Sequence, residues 1–86
     1  MNPTVTIYTT THCGFCRRAK QLLSERNIAF SEVDVTSDEE KREWLVTQTS
    51  GRRTVPQIFI GDEPIGGYTE LAALDRSGEL AARLGR

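Results

Sequence analysis

Both cysteines of this chain sit three residues apart, as Cys13-Gly14-Phe15-Cys16, where a strand-like run gives way to a helix-like one. That junction restricts the fold more than any other feature. Thr4 to Thr9, a β-branched and aromatic run around Val5 and Ile7, reads as a first strand, and Thr10-Thr11-His12 turns the chain. Phe15, Ala19, Leu22 and Leu23 then recur at helical spacing opposite Arg17, Arg18, Lys20 and Gln21, which predicts a helix from Gly14 to Arg26. The dithiol therefore opens the first helix.

The alternation continues downstream. Ile28 to Val35 reads as a second strand with imperfect alternation, and Ser37 followed by Glu40 has the spacing of a capping box. A second helix follows through Gln48, with Trp44 and Leu45 expected inside and Gly51 ending it. Val55 to Ile60 makes a third strand, with Pro56 near its start, where a missing N–H is tolerated. The turn Gly61 to Pro64 returns the chain into a short antiparallel strand at Pro64-Ile65. After Gly66-Gly67 come helices over Thr69 to Arg76 and Glu79 to Leu84. The order βαβαββα plus a short C-terminal helix predicts an α/β, thioredoxin-like fold. Its four-stranded mixed sheet is flanked by helices, with the first two strands parallel and the last two a hairpin.

A length of 86 residues suits one domain over residues 1–86, and 37% hydrophobic with 27% charged residues suits a soluble globule. The net charge of −1 offers no global field for nucleic acid or an anionic membrane, so neither is expected as a partner. No apolar stretch approaches the roughly 18 residues of a membrane span. Met1-Asn2-Pro3 lacks the basic start of a secretory leader, which predicts a cytoplasmic protein. There a Cys-x-x-Cys pair is more often catalytic or metal-binding than a permanent staple.

At a helix start, amide N–H groups without intrahelical acceptors and the helix dipole favour a thiolate. Cys13 meets that condition, whereas Cys16, one turn in, is shielded and stays a neutral thiol. The asymmetry assigns Cys13 as nucleophile toward a substrate disulfide and Cys16 as the resolving thiol. Arg17, Arg18 and Lys20 add positive potential nearby. A zinc site is the rival reading, but two cysteines and His12 fall short of four ligands unless a carboxylate joins them. A structural disulfide across two residues would close too small a loop to stabilise much. His12 could serve as a base, yet a helix-start thiolate needs none, and an exposed turn residue is the simpler reading.

With the dithiol, Thr54-Val55-Pro56 and Gly66-Gly67-Tyr68-Thr69-Glu70-Leu71 in view, the chain resembles the glutaredoxins over nearly its whole length. Arg18 to Leu23 and Gly51 to Ile60 are also alike, and the short bacterial dithiol members are the nearest pattern. The resemblance implies a cis Pro56 that sets the Thr54–Val55 backbone beside Cys13; an ordinary trans strand-start proline is the alternative. It implies glutathione as co-substrate, with no permanent cofactor. The cysteinyl part would pair with Val55 as a short added strand, and the γ-glutamyl carboxylate would rest on the N–H groups of Thr69 and Glu70, beside Gly67 and Tyr68. The plainer alternative is that the glycines only turn the chain and Thr69 only caps. Phe15 would border the groove, although its spacing also fits core packing.

Three departures from the family pattern stand out. Thr10 occupies the position of a common lysine, leaving Arg42, Arg52 or Arg53 as candidate replacements. Gly14-Phe15 replaces Pro-Tyr and is shared with a monothiol C-G-F-S branch, which holds a two-iron two-sulfur cluster across a dimer. Glu70 stands where aspartate is usual.

The resemblance thus implies a glutathione-dependent thiol-disulfide oxidoreductase. It would reduce protein disulfides and protein–glutathione mixed disulfides as a monomer, at a potential of about −200 to −230 mV. Its partners would be glutathione and disulfide-containing or glutathionylated proteins. The alternative is an iron–sulfur cluster carrier using Cys13 plus glutathione in a dimer, Cys13 being the only metal ligand so implied. A redoxin fed by thioredoxin reductase is a third possibility.

Overall fold

The computed structural model describes residues 3–85. In chain order it forms β1 (Val5–Thr9), α1 (Gly14–Glu25), β2 (Phe30–Asp34), α2 (Glu39–Gln48), β3 (Gln57–Ile60), β4 (Glu63–Gly66), α3 (Tyr68–Ser77) and α4 (Glu79–Arg83). Met1 and Asn2, read above for a leader, lie outside the described residues. The sheet order is β2-β1-β3-β4. β1 runs parallel to β2, from Val5 opposite Phe30 to Thr9 opposite Asp34, and antiparallel to β3. β3 and β4 form the hairpin, irregular between Ile58 and Phe59. This is the mixed, helix-flanked sheet that the element order predicts.

Strand alternation sends side chains to two cores. Val5, Ile7, Ile58 and Ile60 meet Ala19 and Leu23 of α1, Leu71 of α3 and Leu80 of α4 on one face. Tyr8 and Phe59 meet Val35, just after β2, and Leu45 of α2 on the other. Covered on both faces, β3 is buried throughout, and each fully buried Leu or Ile contributes about 1.5–3 kcal/mol relative to exposure.

Several expectations shift. Phe15 does not join the apolar face of α1: it is 56% exposed, and Cys16, Ala19 and Leu23 form the buried stripe. Trp44 is not buried either, at 38% exposure; its ring stacks on Phe59 at 5.9 Å and carries Lys41 at 4.6 Å. α2 is capped by Asp38, whose carboxylate accepts the Lys41 N–H at 3.0 Å, and not by Ser37. Ile28 lies beyond α1 and is tied back to it: its N–H donates to Leu23 O after the left-handed Asn27, so β2 starts two residues later. β3 begins at Gln57, after Pro56, whose nitrogen has no hydrogen for the ladder.

Candidate active site

The turn that feeds α1 is tied to the far end of β2. Thr11 N–H donates to Thr36 Oγ1 at 2.8 Å, and Thr36 N–H donates to Asp34 Oδ1 at 2.8 Å. Cys13 then takes the N-cap with extended backbone, and its Sγ accepts the N–H of Cys16 at 3.1 Å. A sulfur stands where a serine or aspartate oxygen usually caps. The same Sγ lies 3.8 Å from the Val55 carbonyl oxygen. Cys13 is half-buried, whereas Cys16 is 2% exposed and its thiol is pushed up to about 12. Burial is the main cause, followed by the hydrogen bond to Cys13 and the charge there; the Thr10 backbone and Lys20 oppose them. His12 is exposed in the turn.

Phe15, Thr54, Val55, Pro56, Gly67, Tyr68, Thr69 and Glu70 all line one groove of about 220 Å³, together with Arg52. The structure thus brings together every residue read as glutathione-binding. The Val55–Pro56 peptide is cis, as the resemblance implied. At one end the Phe15 ring lies 6.2 Å from that of Tyr68, with the Arg18 guanidinium 5.6 Å away. At the other end α3 starts on Gly67, which supplies no side-chain cap. Its own N–H donates instead to Glu70 Oε1 at 2.7 Å, and Arg52 adds an ion pair at 3.3 Å. That N–H, and secondarily Arg52, hold the Glu70 carboxyl below its ordinary value.

The glycine pair fits a left-handed backbone at Gly66 and a close backbone approach at Gly67. A Cβ on Gly66, whose φ is +113°, would sit 2.5 Å from Glu70 Oε1 and 2.9 Å from Arg52 Nη1. One on Gly67 would sit 3.2 Å from the Pro56 carbonyl oxygen. Nothing in the order of residues announced that contact between segments.

Of the three arginines considered in place of a lysine at Thr10, only Arg52 lines this groove. Arg42 and Arg53 line a neighbouring groove of about 290 Å³, where Arg53 pairs with Glu43 at 3.1 Å. The two grooves share Arg52, Thr54 and Val55, so they are continuous along this loop. Lys20, behind the dithiol, is paired with Glu32 at 3.0 Å.

The sequence profile of the Glutaredoxin family matches residues 5–65. Glutaredoxin 3 of Escherichia coli K12 is 47% identical over 76 residues, covering 88% of this chain and 90% of its own length. The solution structure of glutaredoxin from Brucella melitensis is similar with a TM-score of 0.86 at 41% identity, over 96% of this chain and 89% of that one. The crystal structure of the buckwheat glutaredoxin–glutathione complex has a TM-score of 0.87 at 30% identity, over 98% of this chain and 77% of that one. Dithiol, groove and sheet thus agree with sequence and structural likeness over most of the length: the chain belongs to the glutaredoxin family of glutathione-dependent thiol oxidoreductases.

Proposed function

We propose that the chain reduces protein disulfides and removes glutathione from protein–glutathione mixed disulfides, using Cys13 as nucleophile and Cys16 as resolving thiol. The observation that carries this reading is the Cys13 sulfur held on the Cys16 N–H, 3.8 Å from the Val55 carbonyl oxygen at the groove's edge. In deglutathionylation the Cys13 thiolate attacks the glutathione sulfur, forming Cys13–S–S–glutathione and releasing the protein thiolate. A second glutathione thiolate then attacks that sulfur, yielding glutathione disulfide and Cys13 thiolate. With a protein disulfide, Cys13 forms the mixed disulfide and Cys16 attacks the Cys13 sulfur. The reduced protein leaves, and two glutathiones return the Cys13–Cys16 disulfide to the dithiol.

Cys16 is timed by its neighbour. Once Cys13 is in a mixed disulfide, its charge and its hydrogen bond no longer hold the proton on Cys16. Burial remains, while the Thr10 backbone and Lys20 still favour the anion. The resolving thiol ionises more readily when it is needed.

An extended tripeptide fits the two continuous grooves. The cysteinyl backbone would pair with Val55, and the γ-glutamyl carboxylate would take the first-turn amides of α3 beside Arg52. The glycyl carboxylate, at the opposite end, then extends past Val55 toward Arg42 and Arg53. That assigns to these two the part a lysine at Thr10 would play. We place this activity in the cytosol, where thiols are kept reduced; among the described residues no helix is long and apolar enough to cross a membrane.

A glutathione-coupled assay on a small mixed disulfide tests the proposal. Cys13→Ser should abolish turnover, while Cys16→Ser should keep much of it and lose reduction of protein disulfides. The reverse pattern overturns the roles. Substituting thioredoxin reductase for glutathione as the electron source tests the third reading.

A second reading draws on Gly14, where an added Cβ would meet nothing within 4 Å, so packing does not demand glycine beside the half-buried Cys13. Two chains and two glutathiones would then share a two-iron two-sulfur cluster as cargo. Anaerobic reconstitution with iron, sulfide and glutathione should give a coloured dimer that Cys13→Ser cannot form; a colourless monomer from the wild-type chain rejects it.

A further inference from the structure

The buried polar side chains among the described residues are Thr9, Thr49 and Gln57. Gln57 is 1% exposed, and its Oε1 has no hydrogen-bond partner. Its Nε2 donates to the Thr54 carbonyl oxygen at 2.9 Å and lies 3.4 Å from Thr54 Oγ1. Turning the amide over would set two acceptors against each other at the first of these contacts, so the Thr54 carbonyl fixes its orientation and leaves Oε1 orphaned. An apolar side chain of equal length would remove that orphan but take the donor from the Thr54 carbonyl oxygen, so one unsatisfied acceptor would replace another. Stability alone does not account for a glutamine there.

We propose that Gln57 is a positioning residue for the ligand-binding loop: by holding the Thr54 carbonyl from inside the sheet, it orients the Thr54–Val55 peptide at the edge of the groove. This peptide is trans, so its C=O and N–H point in opposite directions. Drawing the Thr54 C=O inward turns the Val55 N–H outward, where a strand added along the groove needs a donor. A second buried anchor stands upstream: Thr49 Oγ1 lies 3.2 Å from the Arg52 carbonyl oxygen and 2.6 Å from that of Leu45. The loop between α2 and β3 is thus gripped from within at both ends. The inference rests on the reading of the groove as a glutathione site.

Gln57→Met and Gln57→Leu keep the volume and remove the donor. Steady-state kinetics on the mixed disulfide of glutathione and 2-mercaptoethanol, coupled through glutathione reductase and NADPH, separate KM from kcat. In both variants KM should rise by about fivefold, the effect of one neutral hydrogen bond, with kcat within about twofold of wild type. The Tm should stay close to wild type, because loss of the orphaned oxygen offsets loss of the donor to the Thr54 carbonyl. Wild-type KM in both variants overturns the proposal, and so does a joint collapse of Tm and activity in both, which would make Gln57 a folding residue. A wild-type chain that never turns over this substrate would remove the glutathione reading itself, and the inference with it.

Discussion

The sulfur of Cys13 accepts the backbone N–H of Cys16 at 3.1 Å, while the thiol of Cys16 is itself buried against the sheet. Two side chains of one chemical type, three positions apart, thus occupy opposite environments. One caps the helix at the surface; the other lies in its buried stripe with Ala19 and Leu23. The difference comes from the helix start: Cys13 is the N-cap, with extended backbone outside the helix, whereas Cys16 lies within α1 on its buried face.

The first consequence is selective labelling. One equivalent of iodoacetamide near neutral pH should modify Cys13 and spare Cys16, whose thiol is both inaccessible and hard to ionise. Fragment-ion mass spectrometry locates the adduct. Equal labelling of both sulfurs contradicts the asymmetry.

Alkaline pH should destabilise the reduced chain. The Cys16 thiol is pushed up to about 12 in the fold, whereas an unfolded cysteine ionises near about 8.5. Between those values the folded chain binds a proton that the unfolded chain has lost, so stability falls as pH rises. Tyr8, raised by burial, adds to the trend once unfolded tyrosine ionises, above about pH 10. Urea midpoints under reductant, from about pH 7.5 to about pH 10.5, should decline, and less steeply for Cys16→Ala. Parallel slopes for the two proteins would remove Cys16 as the cause.

Gly66→Ala should cost about 1–3 kcal/mol, because a Cβ there meets the Glu70 carboxylate and the Arg52 guanidinium at a backbone φ that other residues rarely adopt. Affinity for glutathione should fall as well, since both displaced groups line the groove. Denaturant titration and a KM measurement check the pair of effects; an unchanged midpoint would show that the segment relaxes freely.

The cap of α2 separates two adjacent residues. Asp38→Ala should lower stability by about 1 kcal/mol, through loss of the acceptor for the Lys41 N–H. Ser37→Ala should stay within about 0.5 kcal/mol of wild type. Thermal unfolding distinguishes them, and the opposite ranking would restore Ser37 as the cap.

Local pattern made much of this protein legible. The alternation of β-branched and helical runs predicted all eight elements in order, with the parallel first pair and the final hairpin, while the antiparallel pairing of β1 with β3 came from the tertiary structure. Phe15, between the two cysteines, and the glycine pair ahead of a helix marked two parts of the groove wall. Ser37 with Glu40 predicted the cap of α2 one residue early, because adjacent polar residues both suit a helix start and the backbone path selects Asp38. Trp44 looked like core because it is large and apolar, yet it closes over Phe59 with one side toward solvent.

Composition, periodicity and short spacings determined by themselves which segments are strands or helices and that the dithiol opens the first helix, since each depends on neighbours within a turn or two. Only the tertiary structure decided that Phe15 faces outward, that Gly66 and Gly67 nearly touch Arg52, Pro56 and Glu70, and that Gln57 grips Thr54 from inside. Those relationships depend on how β3 and α3 dock against β1 and α1. Docking is a property of distant segments and of their rotation about their own axes, which one-dimensional periodicity does not encode.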